Sequence, residues 1–307
     1  MYLLSLLLVL ALPVSVQDGL SQDVDNAIND LVSEQHSESQ NARAELVEIG
    51  RKASPQLVLA LQAENASVQQ RHMICEILGK IRDNNPAVIA ALTKALEDRE
   101  EFGTSVASVA ASALAWIGDE KAVPALIQVM GSKGEDGTLR VDLDLQLKYE
   151  IIRALGILRA AGAVESLRTS LKDMKTTQLG PEDEWAHLIA AAAAEALGYI
   201  RANSAIEDLG ALLGNGTIDP FSEKPLQWHA ARALERITGK SHGDLNGDDS
   251  SSALAEWKKW YESEIKPKEE PKEEEHKDHD HKGEENKDHD DKKEEPKKEE
   301  PKKEETP

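Results

Sequence analysis

The sequence predicts an all-α fold: a right-handed α-solenoid of about six stacked helical hairpins, followed by a capping helix and a disordered tail. Three observations predict it. Similar short strings recur at intervals of 32 to 42 residues, each string carries aliphatic residues three positions apart, and no stretch shows sustained alternation rich in Val, Ile and Thr. A repeated unit that buries its apolar face only against its neighbours is typical of a solenoid.

Composition excludes several classes of protein. The 307-residue chain carries 57 Asp and Glu against 36 Lys and Arg, a formal net charge of −21, and only one Cys. This balance argues against nucleic acid, whose affinity comes mainly from Lys and Arg, and equally against an anionic membrane surface. One Cys excludes an internal disulfide framework and any multi-Cys metal site. Composition alone does not identify a ligand.

Residues 1–16 are predicted to be a secretory signal peptide. The run YLLSLLLVLALPVSV is too short to span about 30 Å of hydrocarbon as a helix, and polar QDGLSQD follows it. Lys and Arg are missing near Met1, which departs from the usual pattern, and a buried N-terminal helix is the alternative. We expect cleavage near Val16, no membrane span in the mature chain, and a secreted or periplasmic location.

The other end, residues 266–307, is predicted to be a disordered tail. It contains 12 Lys, 18 Asp and Glu, 4 His and 5 Pro, with no other apolar side chain. Such a segment cannot bury enough surface to offset an ordering entropy of about 1–2 kcal/mol per residue. Its charge of −6 leaves −15 on residues 17–265, so the folded body is itself acidic.

Six leucines anchor the repeat, and an aliphatic residue follows each of them three positions later. That spacing marks one face of a helix. A further pair of aliphatic residues follows three of the strings at identical offsets and predicts the first helix of the next hairpin. The anchors are Leu46, Leu78, Leu114, Leu155, Leu197 and Leu234.

The strings ALGILRAAGAVESL and EALGYIRANSAIEDL resemble HEAT repeats of the phycobilisome-lyase type. The resemblance covers about Leu20 to Lys240 and implies six HEAT-like hairpins in a solenoid at 17–240, but it does not specify a function. The segment 238–262 is similar to the ending of secreted bacterial HEAT-repeat proteins. By that resemblance Trp257 and Trp260 belong to a helix within 241–265 that covers the last hairpin, with ligand binding by the two indoles as the alternative.

Motifs of several chemistries are missing or incomplete. No His-Glu dipeptide of the iron-binding HEAT hydroxylases occurs, nor a G-x-S-x-G elbow, a phosphate-binding Gly loop or a zincin helix. Cys75 could be a nucleophile, but its column in the other repeats is apolar, which favours a packed thiol. DLNGDD at 244–249 starts like a calcium loop but has Asp249 where Gly is required. We therefore expect no catalytic residues, no resident cofactor and no metal site in the body.

A binding face is predicted on the second helix of each hairpin, which should line the concave side. Positions six and seven before the anchor leucines should point outward there, and aromatic and Arg side chains are the usual interface anchors. Three loops rich in carboxylates, at 130–144, 174–185 and 213–225, should form an acidic edge. The candidate partner-binding residues are Arg71, Lys148, Tyr149, Trp228 and His229.

The sequence therefore predicts a non-catalytic, secreted or periplasmic HEAT-repeat scaffold, not an enzyme. It should hold a protein or peptide with a basic patch through its groove and acidic edge. Two alternatives stay open. One is a bilin-type cofactor lyase or enzyme accessory, which the family resemblance permits. The other is weak metal buffering by the tail histidines, since neutral imidazole binds Zn²⁺ and Ni²⁺.

Overall fold

The computed structural model describes residues 14–98, 100–102, 104–130, 141–176, 184–219, 221–247 and 250–266. These residues belong to one compact unit that ends at Lys266. Most of the predicted signal peptide and all but one residue of the predicted tail lie outside the described residues. Helix α1 begins at Val14, two residues before the expected cleavage point, and the signal peptide stays a prediction. Within the described ranges no helix is both long enough and apolar enough to cross a membrane.

Twelve of the described helices form six consecutive hairpins, which confirms the predicted all-α solenoid. The first helices are α1 (Val14–Asp30), α3 (Ser54–Leu61), α5 (Pro86–Ala95), α7 (Val123–Met130), α9 (Val164–Thr176) and α11 (Ile206–Gly210). The second helices are α2 (His36–Ile49), α4 (Val68–Ile81), α6 (Val106–Ile117), α8 (Val141–Ile157), α10 (Glu184–Ile200) and α12 (Leu226–Thr238). Each second helix from α4 onward packs on the next one, so the second helices form a continuous layer.

Two strands of two residues each, β1 (Glu101–Phe102) and β2 (Thr104–Ser105), form a small antiparallel ribbon between α5 and α6. The ribbon is an insertion in one repeat and leaves the helical architecture unchanged. Ser105 caps α6, because its hydroxyl accepts a hydrogen bond from the Ser108 N–H. Ser67 caps α4 in the same way through the Gln70 N–H. These caps satisfy donors that would otherwise be unpaired at the helix start.

The core follows the predicted repeat. All six anchor leucines are completely buried, and the aliphatic residues three positions later pack against the core. Cys75 is also completely buried, in register with the buried Ala111, Ile152, Ala194 and Ala231 of the other repeats. Complete burial of one leucine side chain stabilises the folded state by about 1.5–3 kcal/mol. The repeating leucine is therefore the main determinant of the hairpin stack.

The glycine that follows the anchor leucine brings neighbouring second helices into backbone contact. A Cβ on Gly79 would lie 2.8 Å from the Cα of Ala113, and one on Gly198 would lie 2.8 Å from the Cα of Ala233. The glycine after the anchor leucine thus has a packing cause: a side chain at this position would force the two helices apart.

A last helix, α13 (Ser251–Trp260), covers the sixth hairpin and continues into a π-helical turn, Tyr261–Ile265. Trp257 is completely buried and Trp260 nearly so, with their ring centroids 5.3 Å apart and edge to face. The His242 ring packs against both indoles at 4.5 and 5.6 Å. The end of the solenoid is thereby closed by apolar packing.

Candidate functional site

A groove lies on the second-helix layer. It consists of two adjoining cavities, of about 430 Å³ and about 260 Å³, and both are lined by Arg153, Ala192 and Glu195. The larger cavity lies between α8 and α10. The smaller one extends to α12 and to the loop 213–225, which we call the closing loop.

The helical period places the lining residues. Side chains four positions apart lie on one face of a helix, and the groove uses the positions six before, two before and two after the anchor leucine. On α8 these positions hold Tyr149, Arg153 and Ile157. On α10 the last two hold Glu195 and Tyr199. The repeat therefore places the groove at a regular position, and aromatic, charged and aliphatic side chains line it here.

The larger cavity has an apolar wall that is open to solvent. Ile157 is 53% exposed and Tyr199 is 43% exposed, although both are large hydrophobic residues. Trp116, at the equivalent position on α6, is 41% exposed and extends this stripe. The guanidinium of Arg236 lies 4.3 Å from the centre of the Tyr199 ring and holds it by a cation–π contact. Exposed apolar residues that adjoin a cavity are typical of a binding surface.

Aromatic rings enclose the smaller cavity. Tyr149 lies 6.4 Å from the Phe221 ring of the closing loop and 6.3 Å from the Trp185 ring at the start of α10. The Arg153 guanidinium sits 5.5 Å from the Tyr149 ring centre. Burial raises the pKa of the Tyr149 phenol, although the Arg153 charge acts in the opposite direction. Tyr149 therefore offers a neutral hydroxyl to a ligand.

A polar cluster forms the floor of the smaller cavity. The His229 side chain is 2% exposed, and its Nδ1 lies 3.0 Å from Glu195 Oε1. Its Nε2 lies 3.0 Å from Ser222 Oγ and 3.3 Å from Asp219 Oδ2, both on the closing loop. The Ser222 hydroxyl lies 2.6 Å from Asp219 Oδ2 and donates to it. His229 thus ties the closing loop to both α10 and α12.

The structure brings together three of the five predicted binding residues. Tyr149 and His229 line the smaller cavity. Trp228 is half-buried beside it, where its Nε1 donates to the Leu245 carbonyl at 2.7 Å and its ring lies between Lys224 and Arg232. Lys148 is half-buried next to Tyr149 but does not line either cavity.

Arg71 lies in α4, away from the groove. Its Nε pairs with Asp98 at 2.7 Å, one terminal nitrogen with Glu100 at 2.5 Å, and the other donates to the Ala66 carbonyl at 2.6 Å. Arg71 is thereby committed to holding the segment before the ribbon. Arg71 was chosen as the position seven before Leu78, and the spacing of residues does not indicate that loop carboxylates pair with this guanidinium.

The groove residues missed include Arg153, Glu195 and Tyr199. Arg153 lies four residues after Tyr149, and Glu195 and Tyr199 lie four and eight residues after Ala191, the equivalent position on α10, so the same helical face followed further along would have found them. Phe221 was also missed, and no sequence signal indicates it, because it reaches Tyr149 only through the path of the closing loop.

The predicted acidic edge is only partly within the described structure. Residues 131–140 and 177–183, which make up most of two of the three loops, lie outside the described residues. In the third loop Asp219 is 7% exposed and faces His229. Its carboxylate therefore acts inside the closing loop and does not add charge to a solvent-facing edge.

Cys75, the single cysteine of the chain, is not available for chemistry. Burial is the largest influence on its thiol and raises the pKa well above its ordinary value. A buried, protonated thiol is a poor nucleophile. Within the described ranges no three His, Cys, Asp or Glu side chains come together as a metal site. The tail histidines and most of the tail lie outside those ranges.

Comparison with known proteins identifies the repeats. The family of HEAT repeats matches residues 54–141, and the PBS lyase HEAT-like repeat matches residues 189–215. The chain is 32% identical over 193 residues to phycocyanobilin lyase subunit alpha from Synechocystis sp., and the match covers 60% of this chain. The chain spans 63% of the length of that relative.

Among solved structures, the complex of CpcE and CpcF of phycocyanin lyase from Nostoc sp. is similar at 17% identity with a TM-score of 0.41. That match covers 77% of this chain and 93% of the other. An engineered protein is similar at 19% identity with a TM-score of 0.38, covering 80% of this chain and 70% of the other.

The prediction that this protein is not an enzyme is wrong, because its curated relative is a lyase subunit. The prediction rested on missing hydrolase, phosphate and zinc motifs, and the absence of those motifs does not test for a lyase. The repeat pattern itself was identified correctly, from the same residues that pack the second helices together. The chain contains HEAT repeats at residues 54–141 and a PBS lyase HEAT-like repeat at residues 189–215, in agreement with the predicted resemblance.

Proposed function

We propose that this protein is a bilin lyase subunit or lyase accessory that holds a linear tetrapyrrole in the groove between α8, α10 and the closing loop. The observation that carries the proposal is the combination, in one groove, of an exposed and a half-buried tyrosine with arginines. Tyr199 and Tyr149 supply the aromatic surface, and Arg153 and Arg159 supply the positive charge. The relationship to a phycocyanobilin lyase subunit supports the same ligand class.

The groove residues fit the chemistry of a bilin. A bilin is a flat conjugated chain with carboxylate side chains and pyrrole nitrogens. Flat conjugated groups pack on aromatic rings, and arginine binds carboxylates through two parallel hydrogen bonds. Arg153 is half-exposed, and its contacts are a 3.3 Å pair with Glu150 and the cation–π contact with Tyr149, so its guanidinium can also reach a ligand in the groove. The two cavities together fall within the range of about 300–1,000 Å³ typical of ligand sites.

The chain would hold the ligand without bonding to it through sulfur. Its single cysteine is completely buried in the packed core of α4, outside both cavities. A thiol that reacts with the bound bilin would therefore have to come from another protein, so the proposed function includes a protein partner.

Titration of the full chain with phycocyanobilin tests the proposal. We expect saturable changes in visible absorbance and quenching of tryptophan fluorescence. Arg153→Gln and Tyr199→Ala should each weaken binding by about tenfold, equivalent to about 1.4 kcal/mol. Arg51→Gln is the matched control, since Arg51 is exposed in the turn after α2. Absence of saturable binding, or equal weakening by Arg51→Gln, would contradict the proposal.

The scaffold prediction has weaker support. A protein or peptide partner is compatible with the groove, but the curated relative is a lyase subunit and not a scaffold. Secretion and a periplasmic location stay predictions from residues 1–16. Comparing the distribution of the full chain with that of a chain beginning at Gln17, between cell and medium or periplasm, tests them.

A further inference from the structure

Glu195 occupies the junction of the two cavities and is the acidic side chain that both share. Its Oε1 lies 3.0 Å from His229 Nδ1, and its side chain is 38% exposed. Among the described residues no hydrogen bond is made by its other oxygen, Oε2. Glu195 therefore presents one fixed and one available carboxylate oxygen to the groove.

His229 fixes this carboxylate. An ionised carboxylate can only accept hydrogen bonds, so Nδ1 of His229 must carry the proton that joins them. The imidazole is nearly inaccessible to solvent, its Nε2 contacts Ser222 and Asp219, and its ring packs edge to face on Trp228 at 5.1 Å. A ring held on both nitrogens and one edge cannot rotate freely. The orientation of Glu195 is thus set before any ligand arrives.

We propose that Glu195 is the specificity-determining residue of the groove, accepting hydrogen bonds from N–H groups of the ligand, and that His229 is its positioning residue. This inference rests on the proposed function, because it assigns a tetrapyrrole's pyrrole nitrogens to Glu195 and its carboxylates to the arginines. The charged and titratable groups around Glu195 are Tyr149 and Arg153 on α8, Arg159 just after α8, Tyr199 on α10, Asp219 on the closing loop and His229 on α12.

A fixed carboxylate beside the pyrrole nitrogens would favour the protonated, cationic form of the bilin. An opposite charge within hydrogen-bond distance changes a pKa by about 1–3 units. The pKa of the bound bilin should therefore be higher than that of the free bilin, so that the bound bilin stays protonated to a higher pH. The absorbance band of the protonated form reports this directly and does not depend on catalytic turnover.

The experiment titrates the full chain with phycocyanobilin and then titrates the complex with base, following visible absorbance. Glu195→Gln should weaken binding about tenfold and lower the pH midpoint of the bound bilin by about one unit or more. His229→Leu should do the same, while His229→Asn, whose amide N–H lies near the place of Nδ1, should restore much of both. Glu165→Gln is the matched control, since Glu165 is 78% exposed and pairs with Arg168.

The outcomes separate the two proposals. If the wild-type chain binds the bilin but Glu195→Gln has the same affinity and the same pH midpoint, the role of Glu195 is overturned and the proposed function stands. If the wild-type chain does not bind the bilin, both fail. Circular dichroism and thermal unfolding check that His229→Leu is folded. Glu195→Gln, at a partly exposed position, tests the inference independently of that variant.

Discussion

Gly156 of α8 and Ala196 of α10 touch backbone to backbone: a Cβ on Gly156 would lie 2.9 Å from both the Cα and the Cβ of Ala196. The contact joins the two helices that form the walls of the larger cavity. The Ala196 Cα is a backbone atom and the Cβ is bonded directly to it, so neither can move aside as the end of a flexible side chain would.

Gly156→Ala should lower the free energy of unfolding by about 1–3 kcal/mol, because the added methyl group overpacks this contact. Gly162→Ala is the control: no heavy atom lies within 4 Å of its Cβ position and its φ is not positive. Urea unfolding followed by circular dichroism measures both. Equal stability of the two variants would show that α8 and α10 can separate at no cost.

Trp257→Ala should lower the free energy of unfolding by about 3–5 kcal/mol, because a fully buried indole is lost from the end of the array. The matched control is Trp116→Ala, since Trp116 is 41% exposed on the groove side and should cost much less. Thermal unfolding gives the comparison. Hydrogen exchange should show the loss mainly in α12 and α13, because solenoid repeats interact with their neighbours only. A uniform loss along the chain would contradict this.

Glu76 should contribute to acid sensitivity. Burial disfavours its charged form, but the hydrogen bond from Lys80 and the charges of Arg43 and Lys80 outweigh burial and lower its pKa. A carboxyl group whose pKa is lowered in the folded state stabilises the protein at pH values above the ordinary carboxyl pKa of 4.5. That contribution is lost as the pH falls below 4.5 towards the folded-state pKa.

Glu76→Gln should therefore be less stable than the wild type at neutral pH, and the difference should shrink as the pH falls through this window. Melting temperatures measured from pH 7 downward test it, with the exposed Glu165→Gln as control. A difference that stays constant with pH would show that the Glu76 charge does not contribute to the stability of the fold.

The thiol of Cys75 should not react with a thiol reagent in the native chain and should react quickly once urea unfolds it. Cys75→Ser should destabilise the fold by about 1–3 kcal/mol, since it buries a hydroxyl among apolar side chains. Cys75→Ala should cost less, because Ala111, Ala194 and Ala231 already fill the equivalent positions. Fast labelling of the native chain would contradict the packed-thiol interpretation.

The fold could be predicted from the sequence because the burial of one leucine per repeat is a local, periodic requirement. Leu155 and Leu197 occur at fixed distances from their glycines, and packing of helix against helix admits few alternatives to that pattern. The helical repeat thus determines both the core and the general position of the concave face.

The site could be predicted only in part. Tyr149 follows from the helical face, but the groove also depends on the closing loop. The path of that loop depends on the His229–Asp219 contact and on backbone hydrogen bonds such as that from the Asp219 N–H to the Lys224 carbonyl, and not on any periodic pattern. Arg71 shows the opposite case. It lies on the helical face predicted to bind a partner, but its guanidinium pairs with the loop carboxylates of Asp98 and Glu100. The spacing of residues along the chain does not indicate which distant residues a loop contacts.

The last turn of the chain's folded unit limits how copies of it can assemble. The Tyr261 ring lies directly on Gly210 of α11, in space that any larger residue at position 210 would occupy, and its hydroxyl lies 3.4 Å from the Glu207 carbonyl. Together with α13 it covers both layers of the final hairpin. Among the described residues, α13 and this turn therefore occupy the hairpin face on which a second copy would continue the stack, which disfavours head-to-tail growth into a filament at this end.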